Sequence, residues 1–355
     1  MRGNYQGRLS NILPKISVLV LNYNGLRFLD KCFESLGELH YPDYEVILVD
    51  NASNDGSVAY VRQKFPWVKL VIHEKNYGFC EGYNRSIAFA EGEYLAFLNN
   101  DTRVDPNWLA ELASAVQEHQ ADICGSKMLS LDNPEIISSR GGKITPIGSG
   151  YDIDFNSRDS KGEDNKLTFV GTAGSGAMLI RKATFLEIGG FDPDYFAGVE
   201  DLDLCWRAWL KGYKVIYVAN SIVYHSVGGS WGSRHSSSRI FLGQKNRLAN
   251  IIKNFEFTNV IKGLAMSLAY DLVRVVMFLA RGEFRNILAL ANGTICFIKE
   301  LPKTLRKRKT IQRDRRISDK ELYHLGLISP LNDCINEFMR LEKTTGQVNP
   351  GARGG

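Results

Sequence analysis

The sequence predicts an α/β protein with a mostly parallel sheet flanked by helices, followed by a helical C-terminal extension. Three observations predict it: four short apolar runs within the first hundred residues, a helical pattern after each, and an apolar helical stretch over 246–301 punctuated by charges.

Residues 16–22, 45–51, 68–73 and 93–98 read as strands. Runs such as Ser17-Val18-Leu19-Val20-Leu21 are apolar on both faces, as expected of a parallel sheet covered by helices on each side. Between them 26–36, 57–65 and 78–90 follow the helical period, and Pro106 opens another helix after the fourth strand. The rhythm is βαβαβαβ. Residues 131–168 turn polar, with Gly141-Gly142, Gly148 and Gly150 among alternating charges, and read as a long functional loop region. Order returns with a strand at 176–180, a short helix, a helix over about 200–211 and a strand at 214–218. The last residues, Gly351 to Gly355, read as a disordered tail.

A chain of 355 residues has room for two domains, or for one large domain with an appendage. At 44% hydrophobic and 23% charged residues it is an ordinary globular composition. The six cysteines (Cys32, Cys80, Cys124, Cys205, Cys296, Cys334) form no C-x-x-C pair and read as reduced packing residues. The first fifteen residues hold no apolar h-region, so no signal peptide and a cytoplasmic location are expected. The net charge of +5 is unevenly placed, since 303–316 carries eight Lys or Arg against the single Asp314.

Polar residues gather where the strands end: Asn22-Tyr23-Asn24, Asp50-Asn51, Asn76 and Asn99-Asn100-Asp101. In an open parallel sheet those ends share one edge, and ligands bind in the crevice beyond it. Asn and Asp after a strand also serve as turn formers and helix caps, but four such clusters in succession favour a binding edge. Neither a G-x-G-x-x-G after the first strand nor a G-x-x-x-x-G-K-[ST] anywhere is present, which counts against dinucleotide enzymes and P-loop NTPases. The edge is carboxylate chemistry instead. Asp50 can accept hydrogen bonds from a base or ribose, and Asp101 can hold a hard cation bridging diphosphate oxygens.

With these residues the sequence resembles glycosyltransferase family 2, the inverting GT-A enzymes, and within it the rhamnosyltransferase-like branch. The resemblance rests on 17–24, Val49-Asp50-Asn51-Ala52-Ser53, Asn76-Tyr77-Gly78-Phe79 with Asn84, Leu98-Asn99-Asn100-Asp101, Gly189-Gly190-Phe191-Asp192, 200–207 and Tyr224-His225, in family order over about 15–235. It implies that Tyr23, Asp50 and Ser53 hold base and ribose beside Asn22, Asn24 and Asn51, and that Asn76, Gly78 and Asn84 line the nucleotide and sugar cleft. The family's D-x-D falls on Asn99-Asn100-Asp101, so only Asp101 keeps the carboxylate. A Mg²⁺ or Mn²⁺ ion would then rely on Asp101, His225, the diphosphate and water. His235 competes with His225, and a lone histidine after a strand is also an ordinary surface residue.

Glu200 and Asp201 open a helix whose apolar face is Leu202, Cys205, Trp206 and Trp209. Acids in a first turn are favoured by the helix dipole alone. In the functional reading Asp201 is the general base, with its pKa lowered by the helix N-terminus, and Glu200 and Asp203 are the fallbacks. The implied enzyme moves a sugar from dTDP-rhamnose or a UDP-sugar to a glycan or lipid-linked hydroxyl by one in-line displacement. The alternatives are a sugar nucleotidyltransferase, which needs a Gly-rich loop that Asn22-Tyr23-Asn24-Gly25 does not supply, and a catalytically weak scaffold subunit.

The expected division is a flexible N-terminus (1–14), a GT-A catalytic domain (15–235, with a nucleotide-binding half to 110 and an acceptor half from 111), a basic membrane-associating extension (236–335) and a tail (336–355). The apolar run 264–280 is interrupted by Asp271 and Arg274, and 287–298 is too short to span a bilayer. Together with 303–316 they are expected to lie on the anionic inner face of a membrane, with packing on the catalytic domain or a homodimer as the alternative. No nucleic-acid partner is expected.

Overall fold

A computed structural model of the chain describes residues 13–160, 167–226 and 236–347. The apolar runs become β1 (Ile16–Asn22), β2 (Tyr44–Asp50), β3 (Lys69–Ile72) and β4 (Tyr94–Asn99), alternating with α1 (Leu26–Gly37), α2 (Ser57–Lys64) and α3 (Gly78–Ser86). β1 pairs in parallel with β2 and β4, and β2 with β3, so the C-terminal ends of all four lie on one edge. Side chains along each strand alternate between two cores. Leu19, Ile47, Val49 and Phe97 face one, Val18, Val20, Val46 and Leu48 the other, and every one is almost fully buried.

The sheet continues as β5 (Thr102–Val104), then α4 (Trp108–His119), β6 (Ile123–Ser130), β7 (Ile137–Ser139), β8 (Gly142–Ile144), β9 (Gly150–Asp152), β10 (Thr168–Phe169), β11 (Ala177–Arg181), α5 (Lys182–Glu187), α6 (Glu200–Leu210) and β12 (Val215–His225). This half is mixed: β11 runs antiparallel between β4 and β6, while β12 is parallel to β6. The order is β10-β12-β6-β11-β4-β1-β2-β3. The region expected as loop is not structureless, since β7 extends the sheet and β8 pairs with β9. β12 also outruns the strand read at 214–218, passing a register shift between Val218 and Ile222 to pair with β5. The six cysteines are free and four are buried, as packing residues should be.

After residue 236 come α7 (Ser237–Asn254), α8 (Phe257–Ala280), α9 (Phe284–Arg313), α10 (Asp319–His324) and α11 (Leu331–Gln347). α11 crosses the boundary expected at 335. Residues 1–12, His235 and the Gly351 to Gly355 tail lie outside the described residues.

α7 packs against α6 through a buried charge cluster. Lys253 reaches Asp203 Oδ1 at 2.8 Å and Asp192 Oδ2 at 2.5 Å, and Arg207 Nε donates to Asp203 Oδ2 at 2.8 Å. α9 joins it from outside, because Lys307 and Lys303 pair with Asp192 and Asp194. Arg308 donates to the carbonyls of Ile252 and Phe255, and Gln312 to those of Lys253 and Asn254, so α9 satisfies the last carbonyls of α7. This corrects the expectation for the basic run. Lys303, Lys307, Arg308 and Arg315 hold the extension to the catalytic domain and to itself; Arg315 pairs with Asp319. Buried charges of this kind are retained only when paired.

Candidate active site

The strand-end residues build a tight buried network. Asn22 Nδ2 donates to Asp50 Oδ1 and Ser53 Oγ, both at 3.1 Å, and Asn100 Nδ2 donates to Asn22 Oδ1 at 2.8 Å. The Ser53 amide donates to Asp50 Oδ2 at 2.8 Å, so both Asp50 oxygens accept hydrogen bonds and the side chain is fully buried. Ser53 Oγ also accepts from the Asn24 amide, and Asn24 Oδ1 from the Asn54 amide, which ties the loop after β1 to the loop after β2. Gly25 is required by close approach: a Cβ there would sit 2.2 Å from Asn100 Nδ2 and 2.5 Å from Asn22 Oδ1. Asn22, Asp50 and Asn100 therefore shape the edge from beneath. Tyr23 and Asn24 are the exposed members, with Tyr23 53% accessible as a surface on which a base can stack.

The residues expected to line the cleft take similar supporting places. Asn76 Oδ1 accepts from the Gly78 amide, and Asn51 Nδ2 donates to the Gly78 carbonyl at 2.9 Å. Gly78 holds φ 78° with Phe196 where a Cβ would lie, so α3 begins directly under Phe196. Asn84 bonds both amide and carbonyl of Phe191, pinning the Gly189-Gly190-Phe191-Asp192 turn.

His225 and Asp101 meet. β12 pairs with β5 so that His225 stands opposite Thr102, and His225 Nε2 lies 3.2 Å from Asp101 Oδ1. Asp101 is almost fully buried and His225 partly exposed. Adjacent ligands of an octahedral ion with ~2.1 Å bonds stand roughly 3.0 Å apart, so this oxygen and nitrogen fit one divalent cation. Among the described residues no group of three or more His, Cys, Asp or Glu gathers to hold an ion.

The acid pair stands across a short bridge. Ser175 donates its hydroxyl to Glu200 Oε1 at 3.1 Å and its amide to Asp201 Oδ2 at 3.3 Å. Gly176, its neighbour, accepts from the Asn99 amide at 3.1 Å, so the 99–101 turn and the first turn of α6 share one connection. Asp203 points away: it is fully buried on Arg207, Lys253 and Asn254, and against the opposing effect of burial the charges of Arg207 and Lys253 hold its pKa below the usual range. Its ion pairs set it apart from Glu200 and Asp201.

The expected lowering of the Asp201 pKa is overturned. Burial raises it, and the Leu202 and Ser175 amides only partly offset that. Glu200 is pushed up to about 7 by burial and by the charge of Asp201. Its Oε2 has no hydrogen-bond partner. The dipole of a helix end is worth ~0.3–1 kcal/mol and loses to desolvation here. Of the two coupled carboxyls, Glu200 is the one pushed furthest towards its neutral form.

Two contributors were illegible in the sequence. Ser175 is one. Asn246 of α7 is the other: its buried Nδ2 donates to the carbonyls of Tyr195, Ala197 and Gly198 at 3.2, 3.1 and 2.8 Å. That loop carries left-handed backbone at Phe196 (φ 58°) and at the β-branched Val199 (φ 57°), directly before Glu200. Such conformations cost on the order of 1–3 kcal/mol each and persist only where the surroundings enforce them. A lone Asn inside a polar helix face gives no sign of that role.

A carboxyl whose pKa is raised in the fold weakens stability as pH rises from its unfolded value through the folded one. Glu200→Gln should therefore leave stability unchanged near pH 4 and raise it by about 1–3 kcal/mol at pH 8. Urea unfolding at the two pH values measures this; equal stability at pH 8 would contradict the buried acid.

The architecture is the GT-A glycosyltransferase fold. A sequence profile, Glycosyl transferase family 2, matches residues 17–187. The N-acetylglucosaminyl-diphospho-decaprenol L-rhamnosyltransferase of Mycobacterium tuberculosis is 26% identical over 268 residues, 67% of this chain and 86% of that protein. GalNAc-T7, solved with UDP, GalNAc and Mn²⁺, has a TM-score of 0.57 at 20% identity over 68% of this chain and 48% of its own. TarS 1–349 of S. aureus, solved with UDP-GlcNAc, has a TM-score of 0.54 at 18% identity over 89% of this chain and 93% of its own. Over residues 17–187 the chain matches glycosyltransferase family 2, and it is a glycosyltransferase enzyme.

Proposed function

We propose that the chain transfers one sugar, with inversion, from a nucleotide diphosphate donor to a hydroxyl of a glycan or lipid-linked acceptor in polysaccharide or glycolipid synthesis. The observation that carries this reading is the Ser175-Gly176 bridge, which joins the turn bearing Asp101 to the acid pair of α6. The nucleotide would lie over Tyr23 and Asn24 on the edge that Asn22, Asp50, Ser53 and Asn100 support. Asp101 and His225 would hold Mg²⁺ or Mn²⁺, whose charge stabilises the departing diphosphate. The acceptor oxygen attacks the anomeric carbon as the bond to the diphosphate oxygen breaks, and the hydroxyl proton passes to Asp201. Glu200, buried and with its pKa raised to about 7, brings less negative charge to the site than an ordinary carboxylate would.

dTDP-rhamnose is the first donor to test and UDP-sugars the next. The rhamnosyltransferase named above supports a lipid diphosphate acceptor, and a peripheral place on the inner face of the cell membrane belongs to the same proposal. The product's anomeric configuration, read by NMR, tests the single displacement. Inversion supports it, and retention would require a different nucleophile.

A further inference from the structure

We infer that α8, with the first half of α9, is the face by which this enzyme lies on an anionic lipid bilayer, in the plane and without crossing it. α8 is long and apolar enough to cross a membrane by length and composition. Only Val260, Gly263, Ser267 and Phe278 of its residues are buried. Leu268, Leu272, Val276 and Leu279, spaced along one side, are 51–65% exposed, and Leu288 and Ile298 of α9 are 63% and 59% exposed. An apolar surface of this extent on a soluble protein marks something that covers it.

The charges say what covers it. The two charged residues that interrupt 264–280 in the sequence turn away from this side: Asp271 accepts from Gln244 and Arg247 of α7 at 2.7 Å each, and Arg274 lies against Asp271, Tyr270 and Phe278. Within 256–300 the exposed charged residues are Lys262, Arg281, Arg285 and Lys299. All four are cations. The acids of the same stretch are turned to protein partners, Glu256 to Arg315, Asp271 to Arg247, Glu283 to Asn286 and Glu300 to Lys245. Glu256 and Glu300 keep 45% and 39% of their side-chain exposure, so the rim is mainly rather than wholly cationic, and an apolar stripe with such a rim complements anionic headgroups above acyl chains. A second copy set symmetrically on this face would bring like charges together.

Spanning is excluded by how α8 is fastened. Besides the Asp271 contacts with α7, Gly263 lies so close to the Pro146 carbonyl that a Cβ would stand 2.8 Å from it, so the helix is held to α7 at one place and to the catalytic domain at the other. α9 links this face to the chemistry, since the same helix carries Lys303 and Lys307 to Asp194 and Asp192 beside the acid-pair loop. The docking inference uses the proposed lipid-linked acceptor only for its purpose, which is to deliver the acceptor in two dimensions.

Flotation of the full chain with phosphatidylcholine vesicles, with and without phosphatidylglycerol, tests it independently of turnover. The chain should float with the anionic vesicles, and Leu272→Glu/Val276→Glu should lower binding at least about tenfold with unchanged thermal melting. Reversing Lys262, Arg281, Arg285 and Lys299 to Glu should weaken anionic binding roughly fivefold per cation. A chain left in the soluble fraction, flotation untouched by Leu272→Glu/Val276→Glu, or a dimer in light scattering that this variant turns into a monomer would overturn the inference. A chain that floats but turns over no nucleotide sugar would leave the docking face standing and refute the transferase chemistry.

Discussion

Asp201→Asn is expected to lose transfer by about two to four orders of magnitude while donor binding stays within roughly threefold, because removal of a general base acts on the transition state alone. The change keeps size and an oxygen that can accept from the Leu202 amide, now at 2.7 Å. Asp201 must be ionised to act, and burial raises its pKa, so the wild-type rate should fall on the acid side at a pH above the ordinary carboxylate range. Stopped assays from pH 5 to 9 with saturating donor resolve both effects. An inactive Glu200→Gln beside a healthy Asp201→Asn would move the base to the neighbouring carboxyl.

Asp101→Ala carries the second large effect, a loss of about a thousandfold or more in metal-supported turnover, as several kcal/mol of leaving-group stabilisation disappear. It should also abolish the metal-dependent part of donor binding, seen as the Mn²⁺ increment in donor-induced thermal stabilisation. His225→Ala should remove less, since Asp101 and the diphosphate still hold the ion. A variant Asp101→Ala that keeps both the increment and the rate would place the ion elsewhere.

The nucleotide half was legible because its signals are local. Continuous apolar runs and the 3.6-residue pattern placed four strands and three helices within a residue or two for most of them. The shared edge followed from the parallel order. Glu200, Asp201 and the approach of His225 to Asp101 came with the family pattern, but their surroundings did not. A helix end is visible in sequence and reads as favouring ionised Asp201, whereas the desolvation that wins is a product of tertiary packing. Long-range pairs were invisible for the same reason. Lys307 with Asp192 lies 115 residues apart in the chain, so a run of cations expected at a membrane surface turns out to be partly committed to protein partners. Asp271 and Arg274 misled in the opposite direction, because a charge in an apolar helix interrupts only the side it faces.

The central claim is that one cleft joins a metal-held donor to the acids of α6. Consumption of nucleotide sugars by the wild-type chain, followed as release of the nucleoside diphosphate in a panel led by dTDP-rhamnose and UDP-sugars, tests it most directly. The account predicts at least one donor consumed with Mn²⁺ or Mg²⁺ and spared in excess EDTA, with consumption lost in Asp101→Ala. Equal consumption in EDTA, or none with any donor and no donor-induced stabilisation, would contradict it.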